Sequence, residues 1–273
     1  MALHLLHGST TEWNSRLQSC RNFVPQDKLR KYLEEQPRKY MNFEDDLENP
    51  HVLTVDDSTR GAADACMLAK MLGHEVTLFV NPFHIATCAP YFFTLFDEVL
   101  DARSINRIEF ERVIYNLNNK KELRAFRLAA KQMFCSLDYE HAISLVNELR
   151  EILGVQTIEV HEHAQILQME DLIHLRDIGV KIENHGWYHD EIAHQSNQEF
   201  LIHIQKASKW LTSTLNISPK EYAVPFGLTF LNKQRRNLIS GPVWLAHPDL
   251  PEGNVGLGHW NRSEITPMLQ NID

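Results

Sequence analysis

Short apolar runs alternate with amphipathic stretches along most of the chain. Residues 51–55 (HVLTV) predict a strand, and residues 60–72 predict a helix that ends at Gly73. Residues 74–80 (HEVTLFV) predict a second strand, which Asn81-Pro82 would stop. The order strand, helix, strand predicts a parallel pair of strands joined by a crossover helix.

The same alternation returns in the second half of the chain. Residues 157–160 and 180–183 predict strands, with a helix at 169–178 between them. A longer helix at 197–215 precedes two further strands, near residues 222–224 and 242–246. Regular alternation of this kind predicts an α/β fold, and we expect the strands to form a β/α barrel.

Two segments depart from the alternation. Residues 1–50 form a polar lead-in with one predicted helix, which we expect to pack on a barrel formed by residues 51–273. Residues 90–155 are mostly helical and charged, which predicts a helical insertion over the mouth of that barrel. Exposed apolar faces of the insertion would also offer an interface for a homo-oligomer.

Charge and composition narrow the function. The formal net charge of −9 argues against a nucleic-acid-binding surface, because phosphate recognition requires clustered Lys and Arg. The four cysteines form no CxxC pair, which argues against a zinc ribbon or a disulfide scaffold. Neither a basic leader nor an apolar run of about 18 residues occurs, so we expect no transmembrane segment and a cytoplasmic location.

Polar side chains follow several predicted strands at the edge where barrels place catalytic groups. Asp56 and Asp57 follow the first strand, and His185 follows the strand at 180–183 with His189 four residues later. Two imidazoles and one carboxylate suit zinc, iron, cobalt or nickel, and these ligand types alone do not choose among them. Taken separately, the Asp pair is also typical of helix caps, and HxxxH arises by chance among 15 histidines.

Three segments, taken in order, resemble the polysaccharide deacetylase family, also known as the NodB-homology or carbohydrate esterase family 4 domain. Residues 53–58 (LTVDDS) resemble its first motif, a strand followed by TFDDG. Residues 171–192 are similar to the second motif, and residues 222–227 (YAVPFG) to the third, R-x-P-[FYW]-G. The resemblance implies a distorted β/α barrel of about seven strands.

The resemblance also implies a reaction, the metal-dependent removal of an N-acetyl group from an amino sugar. Asp57, His185 and His189 would bind one divalent ion, zinc before iron, cobalt or nickel, and Asp56 would be the base. The residues implied to bind substrate are Pro225, Phe226, Gly227, Trp187 and Trp260, of which the aromatic rings are also typical of core packing.

The sequence departs from the family motifs at three places. Ser58 replaces the glycine of the first motif, and Ala223 replaces the arginine that holds the base aspartate. Arg60 and Arg262 are candidates for that missing charge, although surface salt bridges are the alternative for both. The acid histidine is either His247, in Leu245-Ala246-His247 but followed by Pro248 rather than Asp, or His259.

The expected substrate is an acetylated amino sugar, either free or in a nucleotide-linked or lipid-linked precursor of a surface polysaccharide such as O-antigen. Three alternatives remain open. The same barrel could hydrolyse another small amide. The departures from the motifs could mark a catalytically inactive, sugar-binding relative. Finally, two histidines and one carboxylate also serve non-haem iron oxygenases.

Overall fold

The structure, a computed structural model, describes residues 2–3, 24–35, 53–246, 249–250, 253–256 and 259–262. The strands are β1 (Ala2–Leu3), β2 (Leu53–Asp56), β3 (Val76–Val80), β4 (Arg107–Phe110), β5 (Val113–Asn116), β6 (Lys181–Asn184), β7 (Tyr222–Ala223), β8 (Val243–Leu245), β9 (Gly253–Gly256) and β10 (His259–Asn261). The helices are α1 (Gln26–Glu35), α2 (Arg60–Met71), α3 (Pro82–Thr87), α4 (Phe92–Ala102), α5 (Lys120–Cys135), α6 (Tyr139–Ile152), α7 (Met169–Asp177), α8 (Asn197–Leu215) and α9 (Lys233–Arg236).

One sheet holds eight of these strands, in the order β1-β2-β3-β6-β7-β8-β10-β9. All neighbours are parallel except β10 and β9. The predicted α/β fold is therefore confirmed, with eight described strands rather than about seven. The strand predicted at residues 157–160 is wrong: Thr157 and Glu159 are exposed, and the segment pairs with no strand before the turn Glu162–Ala164.

The sheet is curled rather than flat. Strands β2 and β10 are five steps apart in the sheet order, which in a flat sheet would separate them by about 24 Å at about 4.8 Å a step. Nevertheless Arg262, directly after β10, donates a hydrogen bond of 2.9 Å to Thr54 Oγ1 on β2. The two sides of the sheet therefore meet through side chains, as the predicted barrel requires.

Apolar layers cover the outside of this barrel. One cluster packs β2 and β3 against α2 and α7, and a second packs β7 and β8 against α8. Of the predicted lead-in, the structure describes residues 2–3 and 24–35, and α1 buries Leu29 and Leu33 in the first cluster. The rest of residues 1–50 lies outside the described residues. Across the described ranges, no helix is both long and apolar enough to cross a membrane.

Residues 92–152 contain three helices, α4, α5 and α6, with an apolar cluster of their own. They also contain a hairpin, β4 paired with β5, that the sequence did not predict. Its turn residues Glu111 and Arg112 have φ of 48° and 67°. Such turns usually carry Asn or Gly at these positions, and that signal is missing here. We refer to residues 90–155 as the insertion.

Three charged side chains lie together at the amino-terminal side of β6 and β7. Glu183 Oε2 accepts hydrogen bonds from the backbone N–H groups of Lys220 (2.8 Å) and Glu221 (2.9 Å). Glu221 in turn accepts from the Trp244 indole at 2.7 Å and contacts Lys181. The pKa of Glu183 is raised to about 7, because burial and the nearby Glu221 carboxylate raise it by more than the two N–H groups and Lys181 lower it.

Replacing Glu183 with glutamine is therefore expected to stabilise the protein at alkaline pH. Because the folded-state pKa lies above the unfolded value, the cost of the charge is absent below about pH 4 and fully present above pH 7. Glutamine keeps an acceptor for the two N–H groups and carries no charge. Thermal unfolding should show Glu183→Gln more stable than wild type by about 2 kcal/mol at pH 8 and similar to it at pH 4.

The control for this comparison is Glu151→Gln, because Glu151 is an exposed residue of α6. That variant should follow the wild-type stability curve at both pH values. An equal change in Glu183→Gln at pH 4 and pH 8 would show that the carboxylate charge carries no cost in the fold.

Candidate metal centre

Asp56 and Asp57 lie at the end of β2, and their side chains contact different residues. Asp56 is the last residue of the strand, and Thr59 caps the following helix α2 by accepting from the N–H of Ala62 at 3.2 Å. Asp57 lies between them with φ of 75°, a conformation that non-glycine residues rarely adopt. The backbone therefore turns at Asp57, and the two neighbouring carboxylates serve different parts of the site.

Asp57, His185 and His189 form a buried cluster. The Oδ1 atom of Asp57 lies 3.3 Å from His189 Nε2 and 3.8 Å from His185 Nε2. One ligand atom from each of the three residues lies within 4.8 Å of the others, and within the described ranges no other group of His, Cys, Asp and Glu side chains meets this criterion. The structure thus brings together the three residues predicted to bind metal.

The hydrogen bonds of His185 fit a metal ligand. Its Nδ1 donates to the Ala223 carbonyl at 2.9 Å, which leaves the lone pair of Nε2 directed towards Asp57. Nε2 is buried without a hydrogen-bond partner, a costly state that a bound cation would relieve. Burial also lowers the pKa of His185, against the raising effect of Asp56 and Asp57, and so favours the neutral ligand form.

Backbone strain is concentrated around this cluster. His189 and Phe226 have φ of 63° and 60°, so that with Asp57 three non-glycine residues of the site occupy the left-handed region. Each such residue costs about 1 kcal/mol or more, and the surrounding contacts must hold it in place. The Phe226 ring lies edge-on to His189, with centroids 4.7 Å apart.

A buried hydrogen-bond network that the sequence did not predict joins the first two motifs. Tyr91 Oη accepts from the Ser58 N–H at 2.7 Å and donates to Asn81 Oδ1 at 2.9 Å. Asn81 Nδ2 donates to the His185 carbonyl at 2.6 Å, and its backbone N–H donates to Ser58 Oγ at 2.9 Å. Ser58, which replaces the motif glycine, therefore has a structural use. Tyr91, at the start of the insertion, connects the Asp57 turn to the His185 turn.

Arg262 supplies the positive charge that Ala223 cannot. Its Nη1 and Nη2 donate to the two carboxylate oxygens of Asp56 at 2.7 and 2.6 Å, and both side chains are only 1% exposed. The surface salt-bridge interpretation is therefore wrong for Arg262. It holds for Arg60, which lies 3.8 Å from Glu162 where both side chains are exposed. Both arginines were candidates from the sequence for the charge beside Asp56. Only the curl of the sheet, which brings residue 262 to β2, distinguishes Arg262 from Arg60.

The third motif lies against the end of β8. Pro225 is buried, and the Gly227 carbonyl accepts from the Ala246 N–H at 3.0 Å. Gly227 has φ of 70°, and a Cβ at this position would lie 2.6 Å from the Ala246 nitrogen. Only glycine allows this close approach of the two backbones, which places Phe226 beside the cluster of Asp57, His185 and His189.

Two of the predicted substrate-binding aromatic residues are core residues in the structure. Trp260 is 6% exposed and packs inside the barrel in a cluster with Phe79, Ala223 and Trp244. Trp187 is 7% exposed, and Lys206 Nζ lies 4.3 Å from the centre of its ring. Because burial hides both rings, neither is presented for stacking on a sugar. The core-packing interpretation therefore applies to both.

The two candidate acids lie in different surroundings. His259 is buried and accepts the Leu231 N–H on Nε2 at 3.0 Å, and it faces away from the barrel interior that its neighbour Trp260 fills. It is not among the three residues whose ligand atoms cluster around Asp57. His247 lies outside the described residues, although it follows Ala246, the residue that contacts Gly227.

Comparisons with known proteins agree with the motifs. The sequence model of the polysaccharide deacetylase family matches residues 152–240, a segment that contains His185, His189 and the YAVPFG motif. No protein with a curated function is significantly similar in sequence. The predicted resemblance to the polysaccharide deacetylases is thus confirmed.

Solved structures of deacetylases share the fold. The deacetylase PplD of Streptococcus pyogenes, solved in complex with acetate, has a TM-score of 0.56 at 13% identity, with 100% of this chain and 98% of that chain covered. A polysaccharide deacetylase of Bacillus cereus has a TM-score of 0.53 at 11% identity, with 97% and 64% covered. IcaB from Ammonifex degensii has a TM-score of 0.50 at 13% identity, with 98% and 92% covered.

Proposed function

We propose that this protein is a metal-dependent hydrolase that removes the acetyl group from the nitrogen of an amino sugar. The observation that carries the proposal is the buried cluster of Asp57, His185 and His189 beside a carboxylate, Asp56, that is paired with a buried arginine. A site that only stored a metal would have no need of Asp56. The match to the polysaccharide deacetylase family supports the same reaction.

Asp57, His185 and His189 would hold one divalent ion, and zinc is our first choice over iron, cobalt and nickel because two imidazoles and one carboxylate with an open position are common in zinc hydrolases. Such an ion, when bound, polarises an acyl carbonyl and makes water more acidic. The Ala223 carbonyl fixes the His185 ring in the orientation that presents Nε2 to the site.

Asp56 would be the general base. It is held by two hydrogen bonds from Arg262, which fix the plane of the carboxylate and balance its charge. In this arrangement Asp56 would accept the proton of the attacking water. Carboxylate orientation matters here, because general-base catalysis depends on the geometry of the proton that is transferred.

We infer that His247 is the general acid that protonates the leaving amine. The inference rests on Ala246, the residue before His247 in the sequence, whose N–H group donates to the Gly227 carbonyl next to Phe226. The backbone N–H of Leu231, which occupies His259 Nε2, argues against the competing assignment.

The substrate we propose is an acetylated amino sugar in a precursor of a surface polysaccharide, such as an O-antigen intermediate processed in the cytoplasm. Phe226 would line its binding site, because the ring lies beside His189 and is partly exposed. Backbone of the Pro225–Gly227 turn would help to hold the developing oxyanion.

The test is acetate release measured on metal-stripped and reconstituted protein. Stripped protein should be inactive on N-acetylglucosamine and its oligomers, and about one equivalent of zinc should restore release of acetate without oxygen or reductant. Hydrolysis of simple amides but not of acetylated sugars would favour the alternative amidase. Binding of metal without hydrolysis of either class would favour the inactive, sugar-binding relative.

A further inference from the structure

The insertion contributes a lysine to the mouth of the site. Lys131 is an exposed residue of α5, and its Nζ lies 5.3 Å from the centre of the Phe226 ring. The Phe226 centroid is itself 4.7 Å from that of His189. Taken together, these two distances place the ammonium group at most about 10 Å from the ring of a metal-binding histidine.

The position of Lys131 is fixed by packing of the insertion on the third motif. Phe226 packs against the apolar cluster of the insertion, to which α5 contributes Phe126, Ala130 and Phe134. Ala130 is buried and Lys131 is the next residue. The packing of the buried face of α5 therefore fixes the position on the helix from which the Lys131 side chain extends. The insertion thus extends the site beyond the barrel.

No carboxylate neutralises Lys131 in the part of the chain that the structure describes. Burial raises the pKa of the Cys135 thiol to about 11, while Lys131 lowers it and Glu191 raises it, so both charges act on this neighbourhood. Glu191 Oε1 already accepts hydrogen bonds from Thr229 at 2.8 Å and from the Ala193 N–H at 3.2 Å.

A contact between an exposed ammonium group and an aromatic ring contributes little on its own. A positive charge beside the site matters more for the binding of anionic ligands. The net charge of −9 repels anions from the protein as a whole, and a local lysine offsets this repulsion at the site. A lysine that forms no ion pair at this place therefore favours ligands that bring a negative charge to the Asp57 cluster. Its hydrogen bonds to the hydroxyl groups of a neutral sugar would contribute less, because those acceptors carry no charge.

We propose that Lys131, over Phe226, forms a subsite for an anionic group of the substrate. The substrate would be an acidic amino sugar, with a phosphate on the same sugar or a carboxylate on the neighbouring sugar. This inference rests on the proposed deacetylation for its substrate, and it deepens that proposal by naming the charge class. The ammonium group would donate charge-assisted hydrogen bonds to the anion.

The experiment compares Lys131→Met, which keeps the aliphatic stem, with wild type. Three substrates are used: N-acetylglucosamine, its 1-phosphate, and N-acetylglucosamine linked to glucuronate. Wild type should have a higher kcat/KM for one or both anionic substrates than for the neutral sugar. In Lys131→Met, kcat/KM for the preferred anionic substrates should fall about tenfold through a higher KM. Its activity on the neutral sugar should be unchanged. Comparison of the 1-phosphate with the glucuronate-linked substrate shows whether the subsite binds a phosphate or a carboxylate.

Lys121→Met is the matched control, because it removes the same charge from an exposed position near the start of the same helix. It should behave as wild type on all three substrates. Lys131→Arg should retain the preference for anions, and added salt should weaken this preference in wild type more than in Lys131→Met.

A separate binding measurement keeps this inference distinct from the proposed deacetylation. Calorimetric titration measures the affinity of wild type and of Lys131→Met for glucosamine 1-phosphate and for glucuronate. This measurement requires no turnover. Weaker binding in Lys131→Met supports the subsite even if no acetate is ever released. Deacetylation with no preference for anions, or a preference that survives Lys131→Met, overturns the subsite and leaves the deacetylase proposal standing.

Discussion

Asp57→Ala is expected to abolish metal binding and turnover together, whereas Asp56→Asn should keep the metal and lose about a thousandfold in kcat. The two residues are neighbours, but their partners separate them. Asp57 Oδ1 faces both histidines, and Asp56 is bound by Arg262. Removing the Asp57 side chain opens the ligand set. Changing Asp56 to asparagine removes the proton acceptor and also the counter-charge of the buried Arg262, so this variant is expected to be less stable as well as less active.

Elemental analysis and acetate release on the same preparations provide the measurement. His141→Ala is the control, because His141 is exposed on α6 and pairs with Asp138 away from the cluster. Circular dichroism should confirm that each variant is folded at the assay temperature. Near-wild-type turnover in Asp56→Asn would remove Asp56 from the mechanism, and full metal content in Asp57→Ala would remove Asp57 from the ligand set.

Arg262→Met should destabilise the fold by about 3–5 kcal/mol, because it leaves the buried Asp56 charge without its partner. The stem of methionine roughly preserves the packing against Phe79, whose ring lies 5.6 Å from the guanidinium carbon. Denaturant unfolding would measure the loss in the metal-free protein, so that altered metal binding does not contribute.

A double variant separates charge from packing. Asp56→Asn with Arg262→Met removes both charges and should recover much of the stability lost in Arg262→Met alone. Arg60→Met serves as the control, since the pair of Arg60 and Glu162 is exposed and should contribute at most about 1 kcal/mol. Loss of the same size in the single and double variants would mean that packing, rather than the ion pair, makes Arg262 important.

Much of the centre could be predicted because each motif is local. Asp57, His185 and His189 lie at strand ends in sequence and in the structure, and parallel strands bring those ends to one edge. Helix α8 spans Asn197–Leu215, the range predicted from the sequence, and in the structure the Ser196 side chain caps it by accepting from the Glu199 N–H. These signals require no knowledge of how the sheet curls.

Other parts depend on contacts that no local pattern encodes. Tyr91 is one aromatic residue among many in the sequence, and only the fold places its hydroxyl between Ser58 and Asn81. The hairpin was missed because its turn lacks glycine and asparagine. Trp187 and Trp260 could be assigned to the core only when their burial was known.

The ion pair between Arg262 and Asp56 also bears on the order of events in folding. Its partners are 206 residues apart, and they meet only when the sheet has curled through five strand neighbours. Contacts of such large sequence separation have a high closure entropy and tend to form late. The carboxylate that we propose as the base is therefore expected to gain its counter-ion late in assembly, and a chain that has folded only its first strands would hold Asp56 without Arg262.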